Sequence, residues 1–171
     1  MTDNSMKIKT LKKYLLNCFL LTIPIMIWNI IFTSKLPQYY QPEIFWKDIP
    51  AWLKYSENIS RILIFILTLL MPLNISTLTQ KRGLILYIGG TLIYFASWLV
   101  LIYFPNSSWS NNILGFMAPA YTPLLWLTGI GFVGNSFCFN LPYKRWFFIL
   151  IVIIFLILHN FHTMTIYFRI H

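Results

Sequence analysis

The chain has 171 residues, 58% of them hydrophobic and only 10% charged, where soluble domains carry about 25% charged residues. A domain of this size buries only about two-thirds of the surface its unfolded chain exposes, so this much apolar surface needs lipid around it. That excludes an ordinary soluble enzyme, a disordered tail and a coiled coil. The net charge of +9 comes from 13 Lys and Arg against 4 Asp and Glu. The bases sit in short clusters between apolar runs, which fits positive-inside topology better than a nucleic-acid surface.

A helix needs about 20 apolar residues to cross the hydrocarbon core. In chain order, five stretches qualify: 14–33, 59–78, 84–104, 113–139 and 146–168. The run WFFILIVIIFLIL shows none of the alternation of a barrel strand, so the spans are helical. The expected fold is all-α: one polytopic bundle of five transmembrane helices in a single domain, with one interfacial amphipathic helix. Lys7, Lys9, Lys12 and Lys13 precede the first span, Lys81 and Arg82 follow the second, and Lys144 and Arg145 follow the fourth. The positive-inside rule places these segments in the cytoplasm, with the N-terminus inside and the C-terminus outside a cell membrane. Cys18 and Cys138 both fall near the inner face, as two free thiols in a reducing compartment would.

The long connection 34–58 opens with SKLPQYYQP, which two prolines keep irregular. Beyond it, helical periodicity puts Glu43, Lys47, Lys54 and Glu57 on one face and Phe45, Ile49, Trp52 and Leu53 on the other, the pattern of a helix lying in the interface. Pro50 is tolerated in a first turn, so Asp48 is expected to cap the helix entering span two. Asp48 is also a candidate carboxylate for an outward-facing site.

Glu57 and Arg61 stand at i, i+4 at the start of span two, where ionisable residues commonly turn toward the bundle or water. Thr22, Asn29 and Thr33 form a matching stripe in span one, expected to hydrogen-bond to a neighbouring helix; the alternative is that Asn29, at about the depth of Arg61, orients the guanidinium toward a ligand. His159 and His162, at i, i+3, share a side of span five. Two imidazoles are too few for a metal or haem iron, so no cofactor is expected. Gly115, Pro119 and Pro123, followed by Gly129, Gly131 and Gly134, make span four irregular, as in helices that line cavities or pack closely. Nucleotide-binding and hydrolase motifs (GxGxxG, Walker A, GxSxG, HExxH) are missing from the sequence.

Asn29, Thr33, Glu57, Arg61, Ser97, Thr122, His159 and His162 all map to the outer half of the membrane. The expectation is a polar pocket open to the outer face, built from Arg61, Glu57, Asn29, His159, His162 and Asp48. Its function would be non-enzymatic binding or transport of a small anionic solute or lipid headgroup. Partners would be membrane lipids and a membrane protein or a second copy, with no nucleic acid. Two alternatives stand beside it: a membrane-embedded enzyme with a carboxylate–histidine acid–base pair, and a structural or assembly subunit. A carboxylate within reach of a histidine beside a cavity would favour the enzyme, and a pocket without that pair would favour binding.

Overall fold

The computed structural model describes residues 15–139 and 142–170. The start of the first span and the four lysines before it lie outside the described residues. Those described are helical, with one isolated antiparallel bridge between Asn17 and Pro72. Five helices carry the architecture: α1 Ile23–Phe32, α2 Ala51–Leu70, α3 Leu78–Tyr103, α4 Pro123–Val133 and α5 Arg145–Ile170. Three segments are long and apolar enough to cross a membrane: Cys18–Lys35, Leu78–Tyr103 and Arg145–Ile170.

Proline sets most of the boundaries. Pro24 occupies the first turn of α1 and cannot donate a backbone bond, so the chain ahead of it winds as a 3-10 turn, Cys18–Leu21, capped by Asn17. Pro72 disfavours helix at Met71, which is extended (φ −93°, ψ 112°), and α2 stops at Leu70 instead of running to Leu78. The freed strand pairs instead: Cys18 N–H donates to Met71 O and Leu73 N–H to Leu16 O, each at 2.8 Å. Six residues earlier than hydropathy implies, α3 begins at Leu78, because Thr77 and Gln80 form a reciprocal capping box. Lys81 and Arg82 are thus helical.

The expected fourth span is four pieces: Ser108–Asn111, Ile113–Phe116, Ala118–Tyr121 and α4. Pro119 and Pro123 each sit in the first turn of a new piece, and Thr122 Oγ1 donates to Ala118 O at 2.7 Å across one of the breaks. Helix ends at Val133, so 134–139 is non-helical and does not prolong the span.

Residues 36–50 form a strap of two short turns, Gln38–Tyr40 and Pro42–Phe45, followed by a reversal at Asp48. Asp48 is not the N-cap of α2. It takes a left-handed conformation (φ 54°) to turn the chain, and Pro50 holds the cap position without a side-chain bond. The expected polar face of 43–57 is not a single face either. The turn at 46–48 breaks the periodicity, so Trp52 is exposed while Glu57 is buried.

Close packing of α3 on α4 makes the centre of the bundle. A Cβ built on Gly129 would lie 2.5 Å from Tyr87 N, and one on Gly90 2.6 Å from Trp126 N. Helix α5 packs against α2 and α4. By contrast, α1 is buried only at Ile25 and meets α3 mainly through Trp28, stacked on Phe95 at 4.0 Å between ring centroids. A cavity fills the space left on its inner side.

Candidate functional site

The antiparallel approach of α2 and α5 brings residues about a hundred positions apart into one cluster. Leu53, Glu57, Ser60, Ile64 and Leu67 form the buried stripe of α2 at helical spacing, and Glu57 is its one acid. Phe155, His162 and Ile166 lie on the stripe of α5 that meets it. Glu57 has no exposed surface.

Both carboxylate oxygens of Glu57 are used. Arg61 Nη2 donates to Oε1 at 2.5 Å, one turn along the same helix. His159 Nδ1 stands 3.0 Å from Oε1, and His162 Nδ1 stands 2.7 Å from Oε2. A buried carboxylate needs such compensation, because an uncompensated charge away from water costs several kcal/mol. Arg61 also donates to Asn58 Oδ1 at 3.3 Å, and its guanidinium lies 5.6 Å from the Phe155 ring centre. The His159 ring stacks nearly parallel to Phe155 at 5.4 Å. The rings of Phe45 and Trp46 both pack against His162, at 4.4 and 4.6 Å, and its Nε2 lies 2.9 Å from Phe45 O.

Beside the cluster lies a half-open cavity of about 340 Å³, within the range of small-molecule sites. Thr22, Ile25, Met26, Asn29 and Thr33 supply its wall on α1, and Leu36, Tyr40, Pro42, Phe45 and Trp46 supply its wall on the strap. Ile64 and Phe65 of α2, Tyr94 and Trp98 of α3, Trp126 and Leu127 of α4, and Phe155 and Thr163 of α5 add to the lining. The surface is mostly apolar and aromatic. Its charged member is Arg61, with His159 next to it. The Trp126 indole N–H, on a residue of this wall, has no hydrogen-bond partner among the described residues.

Of the residues expected to form the site, Arg61, His159 and Asn29 line the cavity. Glu57 and His162 stand behind the wall, where they hold the lining residues. Asp48 is exposed on the strap reversal and does not line the cavity. Asn29 does not orient Arg61: its Oδ1 accepts from the Tyr94 hydroxyl at 2.8 Å, tying α1 to α3. No group of three His, Cys, Asp or Glu residues among those described has the geometry to hold a metal ion.

Sequence reading missed the strap's share of the site, above all the Phe45 carbonyl and the Trp46 ring. Backbone acceptors leave no mark in a sequence. Phe155 and Thr163 flank His159 at i−4 and i+4, a signal that was available. Tyr40 also went unnoticed; its hydroxyl donates to Phe116 O at 2.6 Å, and burial pushes its phenol well above the usual range, so it remains a donor.

No family model, curated protein or solved structure matches this chain. The chemistry of the site therefore has to be read from its own atoms. With Glu57 ionised, His159 donates from Nδ1 and leaves Nε2 with no protein partner among the described residues. The cavity wall thus carries the Arg61 and His159 side chains toward whatever enters it.

Proposed function

We propose that the protein is a five-crossing membrane protein whose cavity binds, or passes on, a small molecule with an anionic headgroup and an apolar body. The observation that carries this reading is Arg61, the one cationic residue lining a mostly apolar cavity, held in place by a buried carboxylate. Guanidinium groups favour carboxylate and phosphate oxygens, and a low-dielectric wall strengthens that attraction. The apolar remainder of the lining suits an acyl or similar chain, so the headgroup belongs either to a lipid or to a free amphiphilic acid. The 20 residues of α2 extend about 30 Å, enough to cross the hydrocarbon core. With α2 and the broken segment 108–133 as crossings, the basic clusters stay cytoplasmic in a cell membrane, and the cavity and strap belong to the outer half.

Mass spectrometry of lipids and metabolites retained by the purified protein tests this, comparing wild type with Arg61→Ala. An anionic species bound to wild type and lost from the variant supports the reading. Organic extraction then separates a lipid from a water-soluble acid. No retained species in either sample would overturn it.

A second reading has its own observation. His159 lies 3.0 Å from Glu57 and lines the cavity, the arrangement that favours a membrane-embedded enzyme. His159 Nε2 would take a proton from water or a substrate hydroxyl, Glu57 would steady the imidazolium, and Arg61 would stabilise negative charge on the substrate. Conversion of the retained species by wild type but not by His159→Gln would place the protein in this class.

A further inference from the structure

His162 has no exposed surface, and both of its ring nitrogens face acceptors: Glu57 Oε2 at 2.7 Å and Phe45 O at 2.9 Å. A neutral imidazole has one N–H, and an ionised carboxylate and a carbonyl have none to give. The two bonds together therefore require one proton more than a neutral histidine and an ionised Glu57 contain. It sits either on His162, which then donates from both nitrogens, or on Glu57, which then donates to Nδ1 while Nε2–H donates to Phe45 O. Without it, one of the two contacts becomes a lone pair facing an oxygen at bonding distance.

We infer that Glu57 and His162 form a proton-binding site, and that the proton held there latches the strap over the cavity. The strap residues Phe45 and Trp46 line the cavity and also pack their rings against His162, so the latch and the cavity wall are the same segment. The groups facing the site are few. Helix α2 contributes Glu57 and Arg61, and α5 contributes His159 and His162. The strap presents a carbonyl and two rings, while its Glu43 and Lys47 side chains are exposed. Tyr40 stays protonated, as argued above. Farther along, the Arg169 guanidinium donates to Ile44 O and Lys47 O and keeps its charge at any working pH, so it anchors the far end of the strap without sensing protons. The proton is lost as pH rises, so the strap is held at low pH and freed at high pH. Whatever occupies the cavity exchanges more readily in the freed state; that consequence rests on the ligand reading above, whereas the latch itself does not.

Hydrogen–deuterium exchange of the strap amides in the full chain, in lipid nanodiscs, tests the latch. Rates are corrected for intrinsic pH dependence and compared between roughly pH 5 and 8, where imidazoles exchange protons. The wild-type strap is expected to lose protection by about tenfold or more as pH rises, the effect of losing one charge-assisted bond. Glu57→Gln is expected to stay protected throughout, because its amide donates permanently to Nδ1 as the protonated acid would. His162→Phe is expected to exchange fast at every pH, with the amides of α3 showing that each variant remains folded. A wild-type strap indifferent to pH, or a Glu57→Gln strap that follows wild type, would overturn the latch. A pH-responsive strap in a protein that retains no anion would uphold the latch while removing the ligand reading.

Discussion

Glu57 illustrates how much a single buried side chain can organise. It accepts from Arg61 and meets two imidazoles, so its removal takes a partner from three polar groups at once. Glu57→Ala is expected to cost about 3–5 kcal/mol in reversible unfolding in mixed micelles, as for other broken buried charge pairs. Glu57→Gln should cost much less, since an amide both donates and accepts. Equal losses for the two would mean that the negative charge, which an amide cannot supply, carries the whole effect. Asp48 is a smaller case of the same kind. Its left-handed backbone is strained for a residue with a Cβ, and its side chain caps nothing in α2. Asp48→Gly should therefore be neutral or raise stability by up to about 1 kcal/mol, measured the same way. The i, i+4 and i, i+3 spacings made Glu57–Arg61 and His159–His162 legible as pairs in the sequence. That the two pairs meet depends on the register of α2 against α5, which no local spacing encodes. Spacing along one helix likewise does not reveal the partner of Asn29, which is Tyr94 on α3, or the reversal at Asp48, which a turn sets.

At the scale of elements, glycine divides into two uses on α3. Gly90 faces α4, where a Cβ would lie 2.6 Å from Trp126 N, whereas a Cβ on Gly89 meets nothing within 4 Å. Gly90→Ala is expected to destabilise by roughly 1–3 kcal/mol as overpacking forces the helices apart. Gly89→Ala, one residue away, should instead stabilise by up to about 1 kcal/mol through helix propensity. Similar effects at the two positions would contradict the close α3–α4 approach. Hydropathy found every long helix but misplaced several ends, because the ends are set by other chemistry. Pro72 stops α2, the Thr77–Gln80 box starts α3, and Pro119 and Pro123 divide the fourth stretch. These residues were visible, and proline was rightly taken as a break in span four. The strap was the least legible element. A turn at 46–48 interrupts a periodicity that otherwise reads as one helix across Pro50.

For the whole molecule, the proposed orientation puts residue 108 outside and residue 81 inside. Both side chains are exposed, and the native Cys18 and Cys138 are buried, so introduced thiols should react against a low background. Ser108→Cys is expected to label with an impermeant maleimide in intact cells, and Lys81→Cys only after permeabilisation. The opposite pattern would invert the topology. Composition pointed to lipid, with 58% hydrophobic residues, and the unbroken apolar runs pointed to helices. The cavity was legible only as a tendency of polar residues to collect at one end. Its walls come from α1, the strap and every longer helix, a convergence that only the packed chain displays.

Whether that cavity takes an acidic amphiphile is tested most directly by a photoreactive long-chain carboxylic acid, cross-linked in nanodiscs and mapped by peptide sequencing. Labelling that unlabelled acid can displace is expected on Ile25, Ile64 and Leu127, which line the cavity, and should fall sharply in Arg61→Gln. Displaceable labelling confined to outward-facing positions such as Ile30 and Ile62, and unchanged in Arg61→Gln, would contradict the account.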